Sequence, residues 1–165
     1  MARTRRNSTP PQRLILDSGA VIALSRNDAR ARAALRAADE AGAQASIPSV
    51  VLAETVRGAA RDAPVNRVMN AVGQVVSAGE STGRVAGGLL GAAKSNSTVD
   101  GPVVATAIGM GGAVILTDDP GDLGHLAVEH VEVLVQSLKS PTPRQQSCPV
   151  PVALGCSAGA PWVPA

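Results

Sequence analysis

The sequence predicts a three-layer α/β fold with a central, mainly parallel sheet. Short apolar runs typical of buried strands alternate along the chain with segments of helical periodicity. This alternation indicates a parallel sheet covered on both faces, because each crossover between parallel strands carries a helix. With 165 residues, 45% apolar and 17% charged, the chain can pack one domain and is not disordered throughout.

Composition divides the chain into three parts. Residues 1–11 carry arginines and end in a proline pair, so we predict a flexible basic arm. Residues 12–138 hold the alternating elements and form the predicted domain. Residues 139–165 contain six of the 12 prolines, and we predict a disordered tail.

Local signals set the predicted boundaries of the elements. Asp17 ends the first apolar run, and Asp28 can cap a helix that Gly42 ends. Pro48 suits the first turn of the next helix. In chain order we predict strand 13–16, helix 18–25, helix 28–41, strand 44–47, helix 48–60, helix 62–72, a short edge strand 75–76, helix 80–94, helix 99–110, strand 113–116 and strand 131–135.

Three glycines recur every four residues on one face of the predicted helix 80–94. They are Gly83, Gly87 and Gly91. A stripe of small residues admits a close neighbour. It therefore indicates either tight helix packing inside the domain or an interface with a second copy or another partner.

Charge is distributed unevenly, although the net charge is only +2. Residues 1–13 contribute +4, whereas residues 14–139 sum to −3. A basic arm can contact nucleic acid, but short basic ends are also common as solvated termini. The chain has no Phe or Tyr and a single Trp162, which excludes recognition of bases by stacking on an aromatic surface.

The cysteines and the apolar runs bear on location. Cys148 and Cys156 lie in the tail and match no Cys-x-x-Cys metal or redox motif. No apolar stretch of signal-peptide length follows the N-terminal arginines. The longest uncharged run within residues 12–138, residues 101–117, is shorter than the roughly 20 residues that a membrane span needs. We expect a soluble, cytoplasmic protein with no membrane segment.

Acidic residues follow two of the predicted strands. Asp17 follows strand 13–16, and Asp118 and Asp119 follow strand 113–116. Because the carboxyl ends of parallel strands meet at one edge of a sheet, these acids should face the same crevice. Taken singly, each could equally be the cap of the next helix.

Two further acids fall on the apolar side of predicted helices. On a helical wheel Glu54 lies beside Val50 and Val51, and Asp100 begins an apolar stripe, where it could also be a cap. A lone carboxylate in such a place is costly unless it is paired or bound to a cation. Four inward acids without matching bases predict a hard divalent cation, Mg²⁺ or Mn²⁺, held by oxygen ligands.

The positions of the histidines, serines and glycines argue against a zinc site, a serine nucleophile and a phosphate-binding loop. His125 and His130 lack the partners of a zinc pattern, and we expect them on a surface turn and a helix end. No serine lies in a nucleophile-elbow sequence. The glycine-rich residues 109–112 precede a strand, whereas a dinucleotide or phosphate loop follows one.

Four segments together resemble a PIN-domain ribonuclease, and most closely the toxin component of a VapBC toxin–antitoxin pair. The resemblance covers residues 12–138 and implies a PIN-like fold. The order and spacing of the four segments are more specific to the family than any one segment is. The segments are Leu-Ile-Leu-Asp-Ser-Gly-Ala from residue 14, Val-Leu-Ala-Glu-Thr-Val from 51, Val-Asp-Gly-Pro-Val-Val-Ala-Thr-Ala from 99, and Val-Ile-Leu-Thr-Asp-Asp-Pro-Gly-Asp-Leu from 114.

The resemblance also implies roles for individual residues. The implied metal ligands and catalytic carboxylates are Asp17, Glu54, Asp100 and Asp119. The other candidates are the orienting hydroxyl of Thr117, a similar one on Ser18, and the further carboxylates Asp118 and Asp122. One departure bears on the site: Gly101-Pro102 follows Asp100, which predicts a shifted or strained helix start. The proline-rich tail has no counterpart in the family.

The implied reaction is Mg²⁺- or Mn²⁺-dependent hydrolysis of RNA phosphodiesters that leaves a 5′-phosphate and a 3′-hydroxyl. The implied partners are the RNA substrate, a cognate antitoxin that fills the groove, and a second copy in a homodimer. Without aromatic residues, RNA would be held through phosphate contacts by two or three arginines. The candidates, otherwise plain surface charge, are Arg26, Arg30, Arg57 and Arg61, with Arg32, Arg36 and Arg84.

Two alternatives stay open. A catalytically inactive PIN-like module that binds RNA or protein would keep the fold without needing a metal. A Mg²⁺-dependent phosphotransfer or phosphatase domain would instead carry Asp-x-Asp after the first strand, where this chain has Gly19, or a lysine near the site. The chain has only Lys94 and Lys139, and neither directly follows a predicted strand.

Overall fold

Five parallel strands form one sheet in residues 13–139, which are the residues that the computed structural model describes. The sheet order is β3-β2-β1-β4-β5, so the first strand of the chain is the central one. All pairings are parallel. The strands are β1 (Arg13–Leu16), β2 (Gln44–Pro48), β3 (Val75–Val76), β4 (Ala113–Thr117) and β5 (Val133–Ser137).

Seven α-helices flank the sheet in this part of the chain. They are α1 (Ser18–Ser25), α2 (Ala29–Glu40), α3 (Ser49–Thr55), α4 (Ala63–Val72), α5 (Glu80–Ala93), α6 (Asp100–Gly109) and α7 (Pro120–Leu126), and a 3₁₀ turn (Ala60–Asp62) precedes α4. Helices α1 to α4 pack mainly on one another, and so do α5 to α7. Right-handed crossovers place the two groups on opposite faces, because they lead to opposite sides of β1. The predicted three-layer fold is confirmed.

The centre of the core consists of aliphatic side chains from β1 and β4. Ile15, Leu16, Ile115 and Leu116 are all 0% exposed, and Ile15 lies opposite Ile115 in the ladder. Burial on both faces is typical of central parallel strands. These two strands therefore form a rigid wall whose carboxyl ends carry the residues that follow them.

The strand order reverses between β1 and β4. The chain leaves β1 toward β2 on one side and later enters β4 on the other side. In open α/β sheets the crevice outside the carboxyl ends at such a switch point is where ligands bind. The N–H of Asp17 donates to the carbonyl of Leu116 at 3.1 Å, so the pairing continues up to this crevice.

Helix α3 ends at Thr55, and the prediction that it reaches residue 60 was wrong. The buried Asp62 gives the reason, because its Oδ2 accepts the N–H groups of Arg57 at 2.8 Å and Ala59 at 3.1 Å. A continuing helix would direct these donors to its own carbonyls. Gly58, with φ of +72°, then turns the chain in the left-handed region.

After β4, one strand boundary differs from prediction and one helix was not predicted. Strand β5 begins at Val133, which pairs with Ala113, whereas Val131 is 91% exposed in the preceding turn. Helix α7 had no predicted counterpart, because its seven residues include a proline and two glycines, which are poor helix formers. It places His125 in its last turn.

Helix α6 starts at Asp100 without the expected shift or strain. Pro102 lies in its first turn, where a missing N–H costs nothing. Gly101 does not adopt positive φ. A Cβ on Gly101 would lie 3.0 Å from the side chain of Leu90, so this glycine allows α5 and α6 to pack closely.

The glycine stripe on α5 faces away from the domain. A Cβ added to Gly83, Gly87 or Gly91 would meet no atom of another element in residues 13–139 within 4 Å. Packing inside this part of the chain therefore does not account for the stripe. An interface with another chain stays a prediction.

No helix in residues 13–139 combines the length and the hydropathy needed to cross a lipid bilayer. Residues 1–12 and 140–165 lie outside the described residues. The predictions for the basic arm, the tail, Cys148 and Cys156 fall there. The division of the chain at residues 12 and 138 stays a prediction.

We expect Asp62→Ala to lower the melting temperature by several degrees at neutral pH. The variant leaves two backbone N–H groups without their acceptor and releases the turn after α3. The same bonds lower the pKa of Asp62, so its stabilisation is present above pH 3.8 and is lost as pH falls through the lowered pKa. Thermal unfolding followed by circular dichroism measures both effects.

The control for Asp62→Ala is Asp39→Ala, which removes an exposed carboxylate from α2. It should leave the melting temperature within about a degree of the wild type, as surface changes usually do. If both variants melt alike, Asp62 does not hold the end of α3.

Candidate metal centre

Asp17 is a buried carboxylate at the switch point, with only 5% of its surface exposed. Its Oδ2 accepts a hydrogen bond from Thr117 Oγ1 at 2.8 Å. Its Oδ1 is the one buried side-chain nitrogen or oxygen in residues 13–139 that has no hydrogen-bond partner. Because an unpartnered buried carboxylate oxygen is costly, this atom marks a place for a further group.

Thr117 fixes the orientation of Asp17. Its hydroxyl is fully buried at the end of β4, donates to Asp17 and accepts the N–H of Asp119 at 3.1 Å. The hydroxyl has a single proton, and its shorter contact is with Asp17 Oδ2 at 2.8 Å, whereas the Asp119 carbonyl lies at 3.3 Å. The other carboxylate oxygen, Oδ1, is therefore the one left for a ligand.

The surroundings of Asp17 disfavour its charge. Burial raises its pKa above the ordinary value, and the charge of Glu54 adds to the rise. The Thr117 hydroxyl and the N–H groups of Ser18 and Gly19 oppose it. The Asp17 side chain forms no capping hydrogen bond with the N-terminus of α1. The N–H groups of Ser18 and Gly19 nevertheless lie close enough to lower its pKa. Ser18, a candidate from the sequence, acts here through its backbone.

Asp100 lies at the N-terminus of α6, half-buried, in the same crevice. Burial, followed by the charges of Asp17, Asp122 and Glu54, raises its pKa to about 6, while a hydrogen bond from the Ser97 side chain opposes the rise. Asp100 thus experiences the charges of Asp17, Asp122 and Glu54, and Asp17 experiences that of Glu54. The structure places the other three carboxylates around Asp100.

Glu54 reaches this cluster from a different position than its helical wheel predicts. It is exposed in the last turn of the seven-residue helix α3, so its predicted mid-helix, inward-facing placement was wrong. The buried face of α3 is formed by Val51 and Thr55, whose hydroxyl bonds the Val51 carbonyl at 2.8 Å. Glu54 lies at the rim of the crevice, where a carboxylate keeps its hydration.

Asp118 and Asp119 are exposed residues that contact helix N-termini. Asp119 Oδ1 accepts the N–H of Gly121 at 3.4 Å and caps α7. The Asp118 carboxylate lies directly over Gly19, where an added Cβ would be only 1.8 Å from Oδ1. Gly19 is thus a residue of the site that sequence reasoning missed, since only the fold brings residues 19 and 118 together.

Asp122 lies in the first turn of α7 and is held by a residue that the sequence interpretation did not include. Ser97 Oγ donates to Asp122 Oδ2 at 2.8 Å. Ser97 precedes Asp100 by three residues, the Ser-x-x-acid spacing of a capping box, although the residue at the N-cap of α6 is Val99. That pattern was the one available signal, and it indicates a cap rather than a site residue.

The donor set fits a hard cation. Within residues 13–139 no three His, Cys, Asp or Glu side chains are close enough together to enclose a metal ion. The four coupled carboxylates offer only oxygen donors, which Mg²⁺ and Mn²⁺ prefer. Glu54 and Asp122 are exposed, so their carboxylates lie at the surface of the crevice and not in the core.

The candidate arginines differ in how they are engaged. Arg57 Nη1 donates to the carbonyls of Ala53 at 2.7 Å and Val56 at 3.0 Å, which holds it against the end of α3. Arg84 forms an exposed pair with Glu80. Arg26, Arg30 and Arg61 are exposed and take part in no salt bridge within residues 13–139.

A groove of about 750 Å³ lies at the opposite end of the sheet. It is lined by α2, α4 and the residues that precede or begin β2 and β3, among them Arg36, Gln44 and Gln74. The amino ends of parallel strands are not where α/β sheets place their reactive groups. The carboxylate crevice, with its unpartnered Asp17 oxygen, is the stronger candidate.

A sequence profile of the PIN domain matches residues 14–128, and the chain belongs to this family. The predicted family is therefore confirmed. No curated protein matches the sequence significantly.

The fold is similar to chains of solved toxin–antitoxin complexes. VapBC2 from Rickettsia felis, bound to a DNA fragment from its promoter, has a TM-score of 0.61 at 12% identity, over 76% of this chain and 98% of that chain. A toxin–antitoxin complex from Klebsiella pneumoniae has a TM-score of 0.58 at 19% identity, covering 73% and 95%. DNA-bound VapBC from Salmonella typhimurium has a TM-score of 0.58 at 12% identity, covering 78% and 99%. These likenesses establish a shared fold.

We expect the metal-free protein to become more stable as pH falls from 7 to 5. A carboxyl whose pKa is raised on folding stabilises the fold when protonated, so the contribution of Asp100 is complete below 3.8 and is lost as pH rises through about 6. The raised pKa of Asp17 acts in the same direction. Melting temperatures in EDTA across this range measure the effect.

Asp100→Asn should flatten this pH dependence, because its amide stays neutral throughout. The exposed Asp39→Asn on α2 should leave the slope as in the wild type. A wild-type slope unchanged by Asp100→Asn would contradict the raised pKa.

Proposed function

We propose that this PIN domain is a Mg²⁺- or Mn²⁺-dependent endoribonuclease that hydrolyses RNA phosphodiesters as the toxin of a type II toxin–antitoxin pair. The observation that carries the proposal is the buried Asp17, oriented by Thr117, with Oδ1 unpartnered at the switch point. Glu54 and Asp100 interact with it electrostatically, and Asp122 interacts with Asp100. Such an arrangement is unfavourable by itself and is relieved by a cation.

The chain's own residues define how the centre would work. Asp17, Glu54 and Asp100 would hold the cation, with Asp119 or Asp122 as the fourth carboxylate. When bound, the metal activates water and neutralises the charge that develops on the phosphate and the leaving oxygen. Thr117 holds one oxygen of Asp17 so that the other faces the crevice. Without a cation, the acidic crevice would repel a phosphate.

RNA binding would rely on the backbone of the substrate. Arg26, Arg30 and Arg61 are exposed and without salt-bridge partners in the described residues, so their guanidinium groups are available to phosphates. Arg57 is fixed at the end of α3, one turn from the Glu54 carboxylate, and would contact a phosphate near the crevice. Such contacts position RNA without reading its sequence.

An antitoxin is the proposed protein partner. The similar folds named above belong to toxin–antitoxin complexes. The crevice has four coupled carboxylates, so a partner segment that presents an arginine would neutralise it and block the cation. We further propose a homodimer, for which the open glycine face of α5 is available, and a cytoplasmic location, where RNA and antitoxin are both present.

We expect the wild-type protein to cleave single-stranded RNA with Mn²⁺ or Mg²⁺ and to lose this activity in EDTA. Asp17→Asn keeps the shape of the side chain but removes the charge at the centre. It should lower the cleavage rate more than about 100-fold, since even residues that only support metal ligands cost 10- to 100-fold. Gel analysis of end-labelled RNA measures the rate and the 5′-phosphate and 3′-hydroxyl ends.

The matched control is Asp39→Asn, which should cleave at the wild-type rate. Equal cleavage by wild type and Asp17→Asn would refute the assignment of the site. Metal binding without RNA cleavage would instead favour a phosphotransfer or phosphatase activity, and the absence of both would favour an inactive PIN-like module.

Millimolar Mg²⁺ should raise the melting temperature by several degrees relative to EDTA. A cation that binds only the folded protein stabilises it by about 2.7 kcal/mol at 100 times its dissociation constant. Asp17→Asn should lose most of this rise. Potassium chloride at matched ionic strength separates specific binding from screening, and an equal rise with both salts would count against a metal centre.

A further inference from the structure

The hydroxyl of Ser97 joins two segments that each carry an acid of the crevice. Ser97 lies between α5 and α6, three residues before Asp100, and its Oγ donates to Asp122 Oδ2 on α7 at 2.8 Å. The two bonded residues are 25 positions apart in the sequence. One short bond therefore connects the start of α6 to the first turn of α7.

Ser97 is itself held on both sides. Its N–H donates to Ser95 Oγ at 3.2 Å, and the Ser95 hydroxyl donates back to Ser97 Oγ at 3.2 Å. Its carbonyl accepts the N–H of Gly101 in the first turn of α6 at 3.1 Å. Because Ser95 donates to Ser97, the single hydroxyl proton of Ser97 is left for the carboxylates beside it. Its geometric bond is to Asp122 at 2.8 Å, and the same side chain also acts on Asp100, whose pKa it lowers.

Asp122 needs such a bond to stay beside Asp100. Its side chain is exposed, and the two carboxylates repel each other. An exposed Asp on a first helical turn otherwise samples several rotamers in water. Asp119, by contrast, directs its carboxylate to Gly121 at the start of its own helix.

We propose that Ser97 is a positioning residue of the metal centre, whose hydroxyl holds the Asp122 carboxylate beside Asp100 and so makes Asp122 the fourth acid of the crevice. The inference rests on the proposed function and deepens it, because it decides between Asp119 and Asp122. Ser97 acts mainly through Asp122 and also bears on Asp100, and it touches neither substrate nor cation. Hydroxyl groups that orient metal-binding carboxylates commonly affect metal affinity as strongly as 10- to 100-fold.

The test is the dissociation constant of Mn²⁺ for the full chain, measured by calorimetry at one fixed pH. Ser97→Ala should weaken binding about tenfold, and Ser97→Thr, which keeps the hydroxyl, should restore most of it. Thr98→Ala removes a hydroxyl from the exposed neighbouring residue and should bind as the wild type does. Adding Ser97→Ala to Asp122→Asn should cause a smaller loss than Ser97→Ala causes in the wild type, because most of the Ser97 effect passes through Asp122.

A structural role alone would lower the melting temperature in EDTA and leave the Mn²⁺ affinity of the folded protein unchanged. Wild-type affinity in folded Ser97→Ala would overturn the inference while leaving the proposed function intact. Should Ser97→Ala fail to fold, Asp122→Asn and Asp119→Asn decide: a loss of affinity confined to Asp119→Asn overturns the inference. A wild-type protein that binds no Mn²⁺ refutes both this inference and the proposed function.

Discussion

The hydrogen bond from Thr117 to Asp17 joins the ends of the two central strands, and the chemistry of the crevice depends on it. β1 and β4 are brought side by side by the buried ladder of Ile15, Ile115 and their neighbours. The pairing is set by hydrophobic burial far more than by the polar bond itself. The aliphatic core thereby fixes the Asp17 carboxylate in a buried position, where its charge is unfavourable and its Oδ1 has no hydrogen-bond partner.

Stability and function oppose each other at this edge of the sheet. Burial and like charge raise the pKa values of Asp17 and Asp100, so each ionised group subtracts from the free energy of unfolding. Other parts of the fold offset that cost, among them the capping bonds of Asp28 to Arg30 and Ala31 at the start of α2. A positive ligand would relieve the same strain, because whatever binds only the folded state stabilises it. Under the proposed function, binding of a cation or of a partner's arginine would therefore be linked to folding through these carboxylates.

The parts of the structure that the sequence predicts well are those governed by neighbours along the chain. Strand β1 and the position of Asp17 follow from an apolar run that ends in an acid, and Gly42 ends α2 as its left-handed φ requires. The errors arise where residues distant in sequence intervene. Asp62 takes the backbone donors after α3, which shortens the helix and brings Glu54 to the rim. No periodicity within α3 contains that information.

Asp119 and Asp122, which both follow β4, have different structural roles because of where α7 begins. Asp119 caps α7, and the cap fixes where the helix begins and which way it leaves the sheet. Asp122 then lies three residues on, in the turn that meets the segment before α6, and Ser97 bonds it there. Asp119 can therefore influence the crevice through the fold, since moving the start of α7 moves Asp122. The family pattern assigns the ligand role to Asp119, whereas in this fold Asp119 caps α7 and Asp122 is bonded to Ser97 beside Asp100.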